Sequence, residues 1–184
     1  MTISKTSTQY DRVMSGCKDI FIKKMKDYGS AWRILRLSSI TDQIYIKAQR
    51  IRSIEEKGKQ KVEDGVDGEF IGIINYCIIA LIQLELGSES NLEMSVDDVV
   101  HHFEKQVAVS KRLMEDKNHD YGEAWRGMRT SSMTDLILMK LMRIKQIEDN
   151  QGATLISEGV SANYYDMINY AAFALIKKQE EIID

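Results

Sequence analysis

A chain of 184 residues with a formal net charge of −3, no proline and two cysteines is sized for one compact domain, or for two half-domains around a common core. Lys and Arg alternate with Asp and Glu along it, so no clustered positive face for a nucleic-acid backbone is expected. The polar start from Met1 to Gln9 has no leader-like apolar run, and no apolar stretch reads as long enough to span a bilayer. A soluble protein of the reducing cytoplasm is expected, with Cys17 and Cys77 as buried free thiols inside apolar helical patterns.

In chain order, Tyr10, Val13, Cys17, Ile20 and Met25 recur at helical spacing. That first helix stops at Asp27-Tyr28-Gly29, where glycine can take the left-handed conformation that ends a helix. A short amphipathic segment carrying Trp32 follows. Ser39 with Asp42 reads as the start of a middle helix reaching about Lys57. After a polar loop from Gly58 to Gly68, a third helix runs through Phe70, Ile73, Ile74, Tyr76 and Leu81.

The same order then repeats. Ser95 and Asp98 form a capping-box-like start, and Val96, Val100, Phe103, Val107 and Met114 lead to Asp120-Tyr121-Gly122 and Trp125. Ser132 with Asp135 opens a middle helix to about Glu148. A loop from Asn150 to Ser161 precedes a last helix through Tyr164, Ile168, Tyr170, Phe173 and Ile176. Seventeen of the twenty-nine residues from Asp27 to Glu55 are identical 93 positions later, and in the third helices the offset becomes 94, since Asn75 matches Asn169. Identities at Trp, Gly, Lys and Arg exceed what shared helix propensity produces, so one unit has been duplicated. Each copy of such a repeat covers the apolar face of the other. The expected fold is all-α: two three-helix units, over residues 1–87 and 95–184 with a linker at 88–94, packed as a pseudo-twofold bundle around one core.

Three places set polarity against pattern. Lys47 falls near the centre of the stripe Ile40, Ile44, Ile51 and Ile54, and Lys140 repeats it among Met133, Ile137, Ile144 and Ile147. Either each lysine pairs with a carboxylate across the core, or it binds ligand phosphate together with Arg50 or Arg143 one turn on. Asn75 and Asn169 sit in apolar runs, where an amide needs partners. Each fixes the pairing of the two copies or contributes to a ligand site. Near them, Glu69 in the first copy and Asp166 in the second read as the remnants of a Glu-x-x-Asp pair able to share magnesium. The third place is the Asp-Tyr-Gly segment, where Asn118, Asp120, Tyr121, Glu123 and Trp125 either line a pocket for a flat base or form a turn whose tryptophan plugs the core. The fuller polar set lies in copy two, which is therefore the expected site. No P-loop, cysteine metal set or Gly-x-Ser-x-Gly occurs, and His101 and His102 read as a solvated helix face.

Asp-Tyr-Gly-x-Ala-Trp-Arg, then Ser-x-Thr-Asp-x-Ile-x-x-Lys-x-x-Arg-Ile, then Ile-Asn-Tyr resembles the nucleotide modification associated domain of the first type, in two tandem copies. That resemblance implies an α-helical domain linked to nucleotide or modified-base metabolism, with no activity to carry over. A weaker likeness is to the all-α MazG and dimeric dUTPase pyrophosphohydrolases. Their middle helix carries an acidic pair where this chain has Lys140 and Arg143. The expectation is a nucleotide-handling protein. As an enzyme, Asp120, Glu123 and Asp166 would supply catalytic carboxylates and Asp166 and Glu69 would hold magnesium. Lys47, Arg50, Lys140, Arg143, Asn118, Tyr121, Trp125 and Asn169 would contact the nucleotide, with water attacking a phosphoanhydride. The alternative is a non-catalytic helical module with internally paired charges that binds or oligomerises, as a monomeric pseudo-dimer or a homodimer.

Overall fold

A computed structural model describes residues 4–58, 65–87, 92–154 and 159–183. It contains α1 (Lys5–Tyr28), a 3-10 turn (Ala31–Ile34), α2 (Leu37–Lys57), α3 (Val66–Leu86), α4 (Val96–Tyr121), a second 3-10 turn (Ala124–Gly127), α5 (Thr130–Asp149) and α6 (Val160–Ile183). No strand occurs among the described residues. The expected all-α duplicated architecture is present. The middles of the two inter-helix loops, 59–64 and 155–158, and most of the linker, 88–91, lie outside the described residues.

Helix ends follow their local chemistry with two departures. Ser4 and Ser95 cap α1 and α4 through their hydroxyls, which accept from the backbone N–H of Ser7 and Asp98. Gly122 ends α4 in the left-handed conformation (φ 60°, ψ 36°), whereas Gly29 has a positive φ of 61° with ψ −151°, so the two copies leave their first helices in different directions. The middle helices start earlier than Ser39 and Ser132 predict. Arg36 and Arg129 hold the cap positions without side-chain caps, because the preceding 3-10 turn already aims the chain into the helix.

Helices α3 and α6 pack against each other at the centre, each flanked by the middle helix of its own copy. Helices α2 and α5 meet across the pseudo-twofold axis, and α1 and α4 lie over the central pair. Buried residues of both copies form one continuous core. The two cysteines are free and buried; desolvation pushes the Cys17 thiol up to about 12. One expectation is corrected: α3, at 21 residues and a mean hydropathy of 1.7 over its most apolar window, is long and apolar enough to cross a bilayer, yet 61% of that window is buried in the protein. Packed by helices on more than one side, it reads as apolar nearly all round.

The axis is held by reciprocal polar contacts. The Thr41 hydroxyl donates to Glu148 at 2.8 Å and that of Thr134 to Glu55 at 2.6 Å, each from one copy's middle helix to the other's. Burial raises both glutamates above the ordinary carboxylate range, against the lowering effect of the threonine bonds. Lys145 to Asp42 (3.7 Å) and Arg52 to Asp135 (3.6 Å) flank them.

Candidate functional site

The two middle lysines flank the buried stripe instead of centring it; Ala48 and Leu141 take the buried middle. From the flank, each lysine faces its own copy's third helix and meets a carboxylate there. In copy two, Lys140 Nζ lies 2.8 Å from Asp166, which also accepts from Lys117 at 2.6 Å. Burial pushes Asp166 up, but the two lysine bonds outweigh it and hold the carboxyl below its ordinary range. In copy one, Glu69 meets Arg50 at 2.6 Å and Lys47 at 3.7 Å. Asn163, the counterpart of Glu69, donates to the Gly159 carbonyl, and no ion pair forms at exposed Arg143 among the described residues. Asp166 and Glu69 thus each face two cations of their own half, which satisfies their charge internally. Among the described residues no group of three His, Cys, Asp or Glu side chains is placed to hold a metal ion.

The carboxylates expected to act together are apart. Asp120 is exposed and, among the described residues, meets His119 alone, at 3.2 Å. Glu123 accepts from Thr6 and Arg126, and the Thr6 bond leads the effects that lower its carboxyl. Arg126 continues to Gln9 and to Glu180, tying the start of α1 to the end of α6. Asp166 belongs to the separate lysine cluster. Asn118 donates to the Met114 sulfur, Tyr121 is exposed, and Trp125 is buried flat against Phe173, with centroids 4.2 Å apart and planes 5° apart. In copy two the core-plug reading of the tryptophan is the one realised. His102 departs from a solvated face: it is half-buried, 3.5 Å from Glu85.

Asn169 and Asn75 show how the copies diverged. Both amides donate to a carbonyl of their own copy's first helix, Ser110 and Cys17. The Asn169 oxygen accepts from the hydroxyls of Ser110 and of Tyr10, which reaches across from copy one. The counterparts of those donors are Cys17 and Phe103, so the Asn75 oxygen is buried without a partner.

A ligand-sized space lies in copy one, whereas the sequence favours copy two as the site. A cavity of about 550 Å³ is bounded by Phe21, Trp32, Tyr76, Asn75, Lys47 and Lys24, with exposed Tyr28 beside it; pockets for small molecules span roughly 300–1,000 Å³. Gly72, the counterpart of Asp166, lies on its wall. A Cβ there would sit 2.9 Å from Cδ and Cε of Lys47. Without it the lysine stem lies across α3, its ammonium 5.7 Å from the Tyr76 ring centre. In copy two the corresponding positions hold the Lys117–Asp166–Lys140 bridge and Phe173, whose counterpart is the smaller Ile79. Lys24 carries no signal in the sequence, Trp32 and Tyr76 read there only as helix residues, and Gly72 only as the position where copy one lacks the carboxylate of Asp166. The signal was Gly opposite Asp in the aligned repeats, which reads as a lost carboxylate and equally as gained space.

This is a duplicated helical bundle with an aromatic-walled, lysine-bearing cavity in its first half. Two tandem stretches, residues 24–84 and 117–177, match the family model described as nucleotide modification associated domain 1, and the chain belongs to that family. No curated protein and no solved structure matches it. The likeness to MazG-type pyrophosphohydrolases gains no support: the matches are to the other family, and α2 and α5 turn Lys and Arg toward the third helices where an acidic pair would stand.

Proposed function

We propose that the protein is a nucleotide-binding helical module whose site is the first-half cavity. The observation that carries this reading is the cavity's lining, which brings Trp32, Phe21 and Tyr76 together with Lys47 and Lys24. Aromatic faces stack on planar bases, and lysine is a point charge suited to phosphate. Family membership links the domain to nucleotide modification. Binding is favoured over hydrolysis because Asp120, Glu123 and Asp166 belong to three different surroundings and two of them are already bonded to cations. The partner is a small nucleotide, bound without any requirement for magnesium.

A thermal-shift panel of nucleoside mono-, di- and triphosphates, with and without magnesium, tests it. A ligand at a hundred times its Kd stabilises the fold by about 2.7 kcal/mol. For a chain of this size that is a rise of about 5–10 °C in Tm. At least one nucleotide is expected to reach it in the presence of a chelator, with no pyrophosphate released. Silence across the panel refutes nucleotide binding, and magnesium-dependent pyrophosphate release restores the hydrolase.

A further inference from the structure

We infer that the first-half cavity takes a planar aromatic compound through one anionic group seated between Lys24 and Lys47, with its ring against Trp32: the places that Asp166 and Phe173 fill in the second half. This rests on the reading that the cavity is the protein's ligand site, and it narrows the ligand class to nucleoside monophosphates and compounds of the same chemistry.

The internal repeat supplies the comparison. Asp166 accepts from Lys117 at 2.6 Å and Lys140 at 2.8 Å. Their counterparts 93 positions earlier are Lys24 and Lys47, both bordering the cavity. The residue facing them from α3 is Gly72, which offers no carboxylate. Glu69 does not replace it. It stands one turn earlier on α3, one oxygen is taken by Arg50 at 2.6 Å, and the other is 3.7 Å from Lys47, beyond a hydrogen bond. Lys24 is exposed and makes no ion pair among the described residues. The first half therefore keeps two cations and lacks the anion that joins them in the second.

The ring has its own internal counterpart. Trp125 is stacked on Phe173 at 4.2 Å. In the first half Ile79 replaces Phe173, and Trp32, which borders the cavity, meets Phe21 only at 6.3 Å and a tilt of 54°. A carboxylate and a flat ring carried on α6 thus mark what the open half takes from solution. Stacking and charge pairing are each modest in water, and a ligand that makes both at once gains from each.

Isothermal titration calorimetry on the full chain tests this with a nucleoside 5′-monophosphate, the matching uncharged nucleoside, and 4-methylumbelliferyl phosphate as a non-nucleotide aromatic phosphate. The monophosphate is expected to bind one per chain and at least tenfold more tightly than the nucleoside. Gly72→Asp, which copies the second half and displaces the Lys47 stem, is expected to abolish binding. Lys24→Gln, an exposed change that leaves the fold intact, is expected to weaken the monophosphate at least threefold and the nucleoside not at all; it decides the matter if Gly72→Asp does not fold. A monophosphate bound no better than its nucleoside, or unaffected by Lys24→Gln, overturns the inference and leaves nucleotide binding standing. Binding of the aryl phosphate alone, lost in both variants, upholds the inference and removes the nucleotide. No binding of any probe overturns both.

Discussion

Lys140→Met separates a lysine that holds the second half together from one that is dispensable there. Lys140 is 12% exposed and 2.8 Å from Asp166, itself 17% exposed, whereas the second cation on that carboxylate, Lys117, is 55% exposed. Removing one member of a fully buried pair costs about 3–5 kcal/mol. Here Asp166 keeps Lys117, but water screens that contact, and methionine retains the packing of the lysine stem. The expected loss is about 1–2 kcal/mol, the lower part of what a stranded charged group costs. Adding Asp166→Ala removes the stranded carboxylate and should bring stability back to within about 1 kcal/mol of the parent, since replacing both partners of a buried pair by apolar groups is often close to neutral. The two changes would thus show a coupling of about 1–2 kcal/mol in a double-mutant cycle. Urea unfolding followed by far-ultraviolet circular dichroism measures it, with the slope m unchanged if only native contacts are altered. A single variant within about 0.5 kcal/mol of the parent, the ordinary range for uninvolved surface changes, or strictly additive effects, would refute the structural role of the pair.

Two further outcomes follow from the divergence of the copies. Tyr10→Phe removes a hydroxyl donated to Asn169 at 2.7 Å and should cost about 1–3 kcal/mol, while Phe103→Tyr offers the orphaned Asn75 oxygen the donor its twin possesses and should be neutral or stabilising by about 1 kcal/mol; chemical denaturation of both decides. Glu55 and Glu148 have raised carboxyls in the folded state, so the folded protein binds more protons there, and their contribution to stability is full in acid and lost as pH rises through their raised values. Asp166 and Glu123 are lowered and act oppositely, contributing above the ordinary carboxylate range and losing that contribution as pH falls through their folded values. Calorimetry of Glu55→Gln/Glu148→Gln should therefore show a steeper gain in Tm than the parent as pH rises from 4.5; an unchanged profile would mean that burial at the helix seam does not perturb these groups.

Much of the architecture is legible in the chain. Apolar spacing, Ser4 and Ser95 at helix starts, and glycine at the ends of α1 and α4 act over a few residues, so local sequence defines those helices. The duplication, visible at Trp32 and Trp125 or Lys47 and Lys140, dictates a pseudo-twofold partner for every element. Even the charge conflict is visible as one, because a lysine flanking an isoleucine stripe must meet an anion or leave it. The structure supplies Glu69 and Asp166.

What tertiary structure alone decided is which half stays open. Space between helices depends on side chains from several elements at once, and no single helix records it: Asp166 on α6 closes one site only because Lys117 on α4 and Lys140 on α5 converge on it, and Phe173 completes the closure by stacking on Trp125. At Gly72 the missing Cβ lets a lysine from α2 lie across α3, where both border the first-half cavity. The polar richness of copy two goes into a lysine-bridged, ring-stacked cluster, and the plainer copy one holds the cavity.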